Sequence, residues 1–529
     1  MALPMLYLNL LFAGALFLAY WSLSRRKGSR LPPGPRGVPL LGNVLQLPPD
    51  DQHKTFAKWR THYGDNIFIR FFGKPALVLN SLEGANELME KRGAKYSNRP
   101  RFVFLQELVG ADPVLPLLPY NEQWRRHRKW FQWVLQDKDM LQSYRPIQMR
   151  EAHRLLEQLI KRPDDFVMHL KRFVGALSME ISYGHTARSL QDDEFIELAD
   201  RAVTDAVDGG GPAATLVDFF PFLRRVPIFR NKALQMRRLM RDTIEIPYNA
   251  VKEELAQGTA KQCFATALLE EESNGKTLTA EDEYNIMGAA GAFYIAAAGT
   301  TGTVLTTFVL AMVLHPEVRR KAQAEIDRVI GATRLPELED RKSLPYVECV
   351  LSEVYRWNPP APLGLPHELT EDDEYQGYSI SAGTMIIPNI WSVSTVAYQR
   401  VRVFDVCRCM TRDESVYPDP EAFRPERFEK MDASEYDSRD PRRIVFGFGR
   451  RLCPARQFAD SNVWLAIASM LAAFDFDRAH DANGWEITPQ ASFASGGISY
   501  PKPFRCEIQP RSQKVVNLVA QMNVGGMDL

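Results

Sequence analysis

Apolar positions are spread very unevenly along this chain. From Met5 to Leu23 nearly every residue is apolar, and the flank SRRKGSR then brings Arg25, Arg26, Lys27 and Arg30 together. About 20 apolar residues span a bilayer, whereas the apolar stretch of a signal peptide runs to about 7–15. Residues 1–24 therefore read as a single-pass membrane anchor, with a cleaved signal peptide as the alternative. Positive charge on the C-terminal flank alone directs the rest of the chain to the cytosol. In LPPGPRGVPLLGN, Pro32, Pro33, Pro35 and Pro39 predict a stiff, extended spacer, so residues 25–47 form a basic flank and hinge before the domain at 48–529.

Beyond the hinge the pattern is mixed. NIFIRFFGKPALVLN, residues 66–80, predicts two short strands around a Gly-Lys-Pro turn. NEQWRRHRKWFQWVLQ and most of 148–172 repeat at helical spacing with one charged face, and 315–331 and 345–357 predict amphipathic helices. VDGGGPA at 207–213 is a loop, and YQGYSISAGTMIIPNI at 375–390 returns to strand-like alternation. The expected class is mainly α with small β-sheets and no internal repeat. Tyr284 to Leu314 holds no Asp, Glu, Lys or Arg but carries Thr300, Thr301, Thr303, Thr306 and Thr307 among many Ala and Gly. Length admits a second membrane span; composition admits a buried helix with small residues that let a partner approach. On this segment alone both readings stand.

Composition narrows the function. The 529 residues are 45% hydrophobic with zero formal net charge, which suits a large globular core and gives no sign of nucleic-acid binding. The six cysteines, Cys263, Cys349, Cys407, Cys409, Cys453 and Cys506, form no CxxC pair or regular framework, which favours a reducing, cytosol-facing compartment. HExxH, GxxxxGK[ST] and a complete GxGxxG after a strand are all absent, so ATP and dinucleotides are not expected ligands.

The candidate chemistry centres on FGFGRRLCPARQFAD, residues 446–460. A thiolate is a metal ligand, and a helix starting just after Cys453 aims N–H groups and a positive dipole end at the sulfur, lowering its pKa. Gly447 and Gly449 permit close backbone approach. The bland alternative is a buried structural cysteine. The stretch resembles the signature F-x-x-G-x-R-x-C-x-G of the cytochromes P-450, the haem-thiolate monooxygenases. Phe446, Gly449, Arg451 and Cys453 match it, and Ala455 stands in the last position. Further matches follow family order over roughly residues 31–510: Trp124 and Arg128 in W-x-x-x-R, Glu353 and Arg356 in E-x-x-R, and Arg427 in FRPERF. AAAGTT, Ala296 to Thr301, falls on the oxygen-activating A-G-x-[D/E]-T-T, with Gly299 where the acid belongs.

The resemblance is closest to the membrane-bound, microsomal branch and its fungal members. It implies one large haem domain behind the anchor, with the uncharged segment as a buried helix. It implies haem b held by Cys453, propionates met by Trp124, Arg128 and Arg451, a structural Glu353–Arg356–Arg427 network, and proton delivery by Thr300. The activity implied is insertion of one oxygen atom from O2 into a lipophilic small molecule, a secondary metabolite or xenobiotic. An NADPH-dependent reductase, with cytochrome b5 as a further donor, supplies electrons at the endoplasmic reticulum membrane. Arg125, Arg126, Lys129, Arg442, Arg443 and Arg450 are candidates for its docking face. Segments 101–119, Ala292 to Ala296, Ala361 to Leu365 and SFASGGIS are candidate substrate lining.

Two departures stand out. Glu368 occupies a position where relatives carry a basic, propionate-contacting residue, so its carboxylate is expected to repel the haem edge. Removing Val393 to Cys409 leaves NIWSMTRDESVYPDP, which reads as uninterrupted family sequence. That segment is therefore expected to be a translated intron, with a surface-loop insertion as the alternative. Gly299 supports a rival activity, a reductase-independent isomerase or dehydratase, and the insertion supports a non-catalytic product.

Overall fold

Capping chemistry fixes where the long uncharged helix begins. The Thr279 hydroxyl accepts from the Asp282 amide at 3.1 Å, and the Asp282 carboxylate accepts from the Thr279 amide at 3.1 Å. The first turn carries Glu281, Asp282 and Glu283, which suit the positive dipole end. In the computed structural model of the chain, residues 30–187, 195–198, 200–202, 216–394, 410–413, 416–429 and 431–525 are described. The expected anchor, the basic residues Arg25, Arg26 and Lys27, the loop at 207–213, and all of the suspected insertion beyond Ser394 lie outside them.

The principal helices are α1 (Glu122–Gln136), α2 (Arg145–Lys161), α3 (Phe166–Tyr183), α4 (Pro227–Gln257), α5 (Phe264–Ser273), α6 (Ala280–Leu314), α7 (Pro316–Val329), α8 (Pro345–Trp357), α9 (Arg456–Ala473) and α10 (Gln513–Gly525). The helix expected through 148–172 is two, α2 and α3. They separate at Arg162-Pro163, where proline has no amide to continue the ladder. The most apolar window of α6 is 72% buried, which makes it the central helix of the core. Its Val304, Leu305, Phe308 and Met312 pack with Leu156 of α2, Phe173 and Leu177 of α3, Leu351 of α8 and Trp464 of α9. Each such fully buried side chain contributes about 1.5–3 kcal/mol.

The strands are peripheral. β1 (Asn66–Phe71) and β2 (Lys74–Leu79) form the expected hairpin. β2 pairs in parallel with β4 (Met385–Pro388), which pairs antiparallel with β3 (His367–Glu368), giving the sheet order β1-β2-β4-β3. This sheet carries the 360–368 segment to the edge of the site.

Val393–Ser394 pairs in parallel with Arg412–Asp413. The Ile390 carbonyl accepts both the Thr411 amide and its hydroxyl, each at 3.1 Å. The flanks of the suspected insertion thus lie side by side and are bonded to each other. Deleting Val393 to Cys409 would make Thr411 the fourth residue after Ile390, a spacing that the same bond can close. The shortened chain is expected to melt at least as high as the full chain; a clear drop in Tm would show that the segment is structural.

Burial holds five interior histidines, His53, His127, His153, His169 and His367, below the ordinary value and so links the fold to pH; His53 and His127 are one pair of them. Burial lowers His53 from 6.5 to about 4 and His127 from 6.5 to about 4, so both stay neutral when folded. Below 6.5 the unfolded chain takes up a proton at each while the folded chain does not. Their stabilisation is complete above 6.5 and drains as pH falls towards 4, at about 1.4 kcal/mol per pH unit for each. His127→Gln should roughly halve this pair's share of the Tm loss between pH 7 and pH 5; an unchanged pH slope would refute the assignment.

Candidate functional site

The cysteine loop is built by two glycines with different tasks. Gly447 has φ +83°, a conformation most residues avoid, and lines the interior cavity. Gly449 has φ +54°, and a Cβ there would lie 2.1 Å from the Met89 carbonyl oxygen. The close approach at Gly449 is therefore to protein backbone. The Cys453 amide donates to the Phe446 carbonyl at 2.8 Å, which closes the loop, and α9 starts at Arg456. Ala455, where the signature has glycine, sits at φ −90°, which alanine adopts without strain.

Cys453 faces a cavity of about 280 Å³ bounded by α1, α6, the loop itself and the 360–367 segment. Its partial accessibility is to this cavity; protein otherwise encloses it. Burial raises the thiol pKa, opposed by the Ala455 amide and by Arg128 and Arg456. Along α6, Ala292, Phe293, Ala296, Ala297, Thr300, Thr301 and Val304 line the same space. The Thr300 hydroxyl donates to the Ala296 carbonyl at 3.0 Å, and that of Thr303 to the Gly299 carbonyl at 2.9 Å.

The polar lining includes four cationic or basic side chains and no carboxylate: Arg99, Arg128, Arg451 and His367. Arg451 donates to the carbonyls of Ser97 and Leu118 at 2.8 Å each, and its remaining Nη1 is buried without a partner. Burial, opposed by Tyr120 and reinforced by Arg128, lowers Arg451 to about 9. Arg128 donates to the Leu452 carbonyl at 2.5 Å, tying α1 to the cysteine loop, and its guanidinium is likewise disfavoured by burial. Arg99 bonds the carbonyls of Pro116, Leu365 and Pro366 at 2.8–2.9 Å. Trp124 lies under the Arg451 guanidinium, 4.8 Å from it.

These observations test whether haem fits. An apolar cavity with an enclosed thiol on one wall and a cationic rim lacking any counter-charge matches a flat apolar group bearing two carboxylates. The lone Arg451 Nη1 is the most specific sign. The residues present fit the group.

Every residue expected at the cofactor lines this cavity except Gly449, which packs behind the loop. Glu353, Arg356 and Arg427 meet in a buried cluster away from it, with Arg356 Nε and Arg427 Nε 2.7 and 3.0 Å from Glu353 Oε2. Two readings need correction. Glu368 does not face the cavity: its carboxylate accepts from Asn98 at 2.7 Å. Neighbouring strand residues point to opposite faces, so His367 takes the inward position, with Nδ1 donating to the Tyr96 carbonyl at 2.6 Å. SFASGGIS contributes nothing to the lining, whereas Leu115, Pro116, Ala361, Gly364 and Leu365 do. Arg99 and His367 are basic site residues that the sequence reading omits, and neither leaves a local signal in the sequence.

The proposed docking face also shrinks. Arg442 is interior, bonded to Asp460 at 2.7 Å, Glu348 at 2.5 Å and Asp440 at 3.1 Å. Arg126 is paired with Glu272 and Asp282, and Arg125 with Glu122. Arg125, Lys129, Arg443 and Arg450 are exposed, with Arg450 donating to the Tyr120 hydroxyl. A depression of about 310 Å³ lies behind the cysteine loop and shares Phe446 and Gly447 with the cavity.

Comparison with known proteins agrees with this geometry. The family model described as Cytochrome P450 matches residues 32–503. Cytochrome P450 monooxygenase 176 of Postia placenta is 46% identical over 521 residues, covering 97% of each chain. Cytochrome P450 monooxygenase claT of Ampulloclitocybe clavipes is 38% identical over 525 residues, covering 97% of this chain and 99% of its own. COX2 of Coprinopsis cinerea, also named a cytochrome P450 monooxygenase, is 36% identical over 502 residues, 94% of this chain and 92% of its own. With the cysteine loop, the cationic rim and this span of similarity in agreement, the chain belongs to the cytochrome P450 family of haem-dependent monooxygenases.

Proposed function

We propose that this chain uses haem b to insert one oxygen atom from O2 into an uncharged lipophilic small molecule, with electrons from an NADPH-dependent reductase at the endoplasmic reticulum membrane. The observation that supports it best is the meeting, in one cavity, of the enclosed Cys453 thiol, the cationic rim and the Thr300 turn of α6. Bound haem with a thiolate ligand supplies oxygen binding and O–O cleavage, one atom entering a C–H or C=C bond and the other leaving as water.

The chain's own groups do the rest. Arg99, Arg128 and Arg451 would take the two carboxylates, with Trp124 closing the rim, and Cys453 would hold the iron. Ala292, Phe293, Ala296 and Leu115 exclude water and bind apolar substrate. The Thr300 hydroxyl can release the Ala296 carbonyl and pass its proton into the cavity. Gly299 offers no carboxylate to reload it, so water must do so. Arg443 and Arg456 line the rear depression, and Lys129 and Arg450 are further exposed cations on α1 and the cysteine loop, which together suit an acidic reductase surface.

The test is turnover by the full chain in vesicles with NADPH, a microsomal reductase and labelled O2, over a panel of terpenoids, polyketides, fatty acids and aromatic compounds. One labelled atom per product, strictly dependent on reductase, is expected. Conversion of an already oxygenated substrate without reductase would replace this reading by the isomerase that Gly299 favours.

A further inference from the structure

Three chain segments meet at one buried amide. Asn358 Nδ2 donates to the Thr307 hydroxyl of α6 at 3.1 Å and to the Ser499 carbonyl at 2.7 Å. Its Oδ1 accepts from the Ser499 hydroxyl at 3.0 Å, and the Ser499 amide donates to the Pro360 carbonyl at 2.9 Å. Thr307, Asn358 and Ser499 are 0%, 3% and 4% exposed, so no solvent competes for these bonds. The Thr307 hydroxyl donates in turn to the Thr303 carbonyl at 2.8 Å, and that of Thr303 to Gly299, beside Thr300.

The position of this knot gives it a consequence. Thr307 is one turn beyond Val304, the last α6 residue on the cavity, and Asn358 stands two residues before Pro360, the first lining residue of the other wall. Neither side chain touches the cavity. The knot joins the two walls just outside the cavity. A displacement there would shift the α6 wall, with Ala297 and Thr300, relative to the wall that carries Ala361 and Gly364.

We propose that Asn358 is a positioning residue that sets the width of the substrate cavity, and so which sizes of substrate are accepted, without taking part in cofactor binding. This rests on the monooxygenase reading for its functional meaning, though the mechanical tie does not. Asn358→Leu and Thr307→Val each remove the bond between the walls while keeping the branching of the side chain. Thr306→Val is the control, because among the described residues its hydroxyl bonds to the Gly302 carbonyl of its own helix and to no other segment.

The experiment has two readouts. Binding of 1-phenylimidazole and of the much bulkier clotrimazole is titrated by difference absorbance on the haem-loaded full chain. Asn358→Leu and Thr307→Val should each shift the ratio of the two Kd values by about fivefold towards the larger azole, the double variant no further, and Thr306→Val not at all. Thr307→Ser should restore the ratio. Deuterium exchange, which needs no haem, should quicken in peptides covering 359–365 and 490–501 in the same two variants. A ratio within about twofold of the parent in both, with only Tm lowered, would reduce the knot to packing and overturn the proposal. Quickened exchange in the two variants, with a parent chain that binds neither azole, would keep the tie and refute the monooxygenase reading instead. Should Asn358→Leu fail to fold, Thr307→Val, which removes the same bond between the walls, carries the comparison against Thr306→Val.

Discussion

Replacing Cys453 by alanine is expected to abolish the strongly red-shifted Soret band of the reduced, carbon-monoxide-bound full chain. That band reports a thiolate ligand, and Cys453 is the only cysteine among the described residues that lines the cavity. The other described cysteines, Cys263, Cys349 and Cys506, are buried elsewhere, with thiol pKa values raised by burial; those of Cys349 and Cys506 reach about 12. Near Cys453 the opposing influences are local and built in: the Ala455 amide and the guanidinium groups of Arg128 and Arg456 all favour the anion. The predicted effect is therefore complete loss of the band rather than a shift in its intensity, with the fold retained, since the loop is also held by Arg128 on Leu452 and by Gln136 on Pro454. A variant that kept the band would place the ligand elsewhere and remove the central support of the proposed function. Arg451→Leu tests the rim in parallel. It should lower haem retention while leaving the band position of the remaining holoprotein unchanged.

The cysteine loop is legible in sequence because its determinants are contiguous and each has a local cause: positive φ at Gly447, a backbone contact at Gly449, a helix start after the sulfur. The amphipathic helices are legible for a similar reason, since their apolar periodicity is what the core selects. α6 is harder. Its composition alone satisfies both a bilayer and a protein interior, and only packing against α3, α8 and α9 distinguishes them. Residues placed by tertiary contact leave no local trace. Arg99 and His367 come to the rim from a loop and a two-residue strand, and Glu368 is misassigned by one position because so short a strand shows no alternation of its own. Surface charge is equally opaque: Arg442 and Arg443 are neighbours in sequence, yet one is held inside a cluster of three carboxylates and the other is exposed. Pro247 lies within α4, where local rules would end a helix, and the helix continues regardless.

Glu353→Gln is expected to prevent accumulation of haem-loaded protein altogether. Glu353 and Arg356 are both fully buried, and Arg427 is nearly so. The carboxylate accepts Arg356 Nε at 2.7 Å, Arg356 Nη2 at 2.8 Å and Arg427 Nε at 3.0 Å, and it also accepts the Arg424 amide at 2.7 Å. One negative charge thus faces two positive ones, and the excess is met by backbone. Arg356 donates to the carbonyls of Thr411, Pro420 and Ala422, and Arg427 to those of Pro418, Asp419 and Ala422. Glutamine keeps the shape but removes the charge, leaving two guanidinium groups inside the protein with no anion. Breaking a buried pair in this way costs about 3–5 kcal/mol, a large share of the about 5–15 kcal/mol that holds a domain together. The loss would fall on the segment 411–427, and through Thr411 it reaches the joint that closes the suspected insertion. Glu353→Asp should recover part of the stability, since it restores the charge at imperfect reach. The measurement is soluble yield and Tm of the full chain, with the carbon-monoxide band as the count of correctly loaded protein. Wild-type yield and Tm in Glu353→Gln would mean that the backbone carbonyls alone support both arginines, and that the carboxylate is dispensable to the fold.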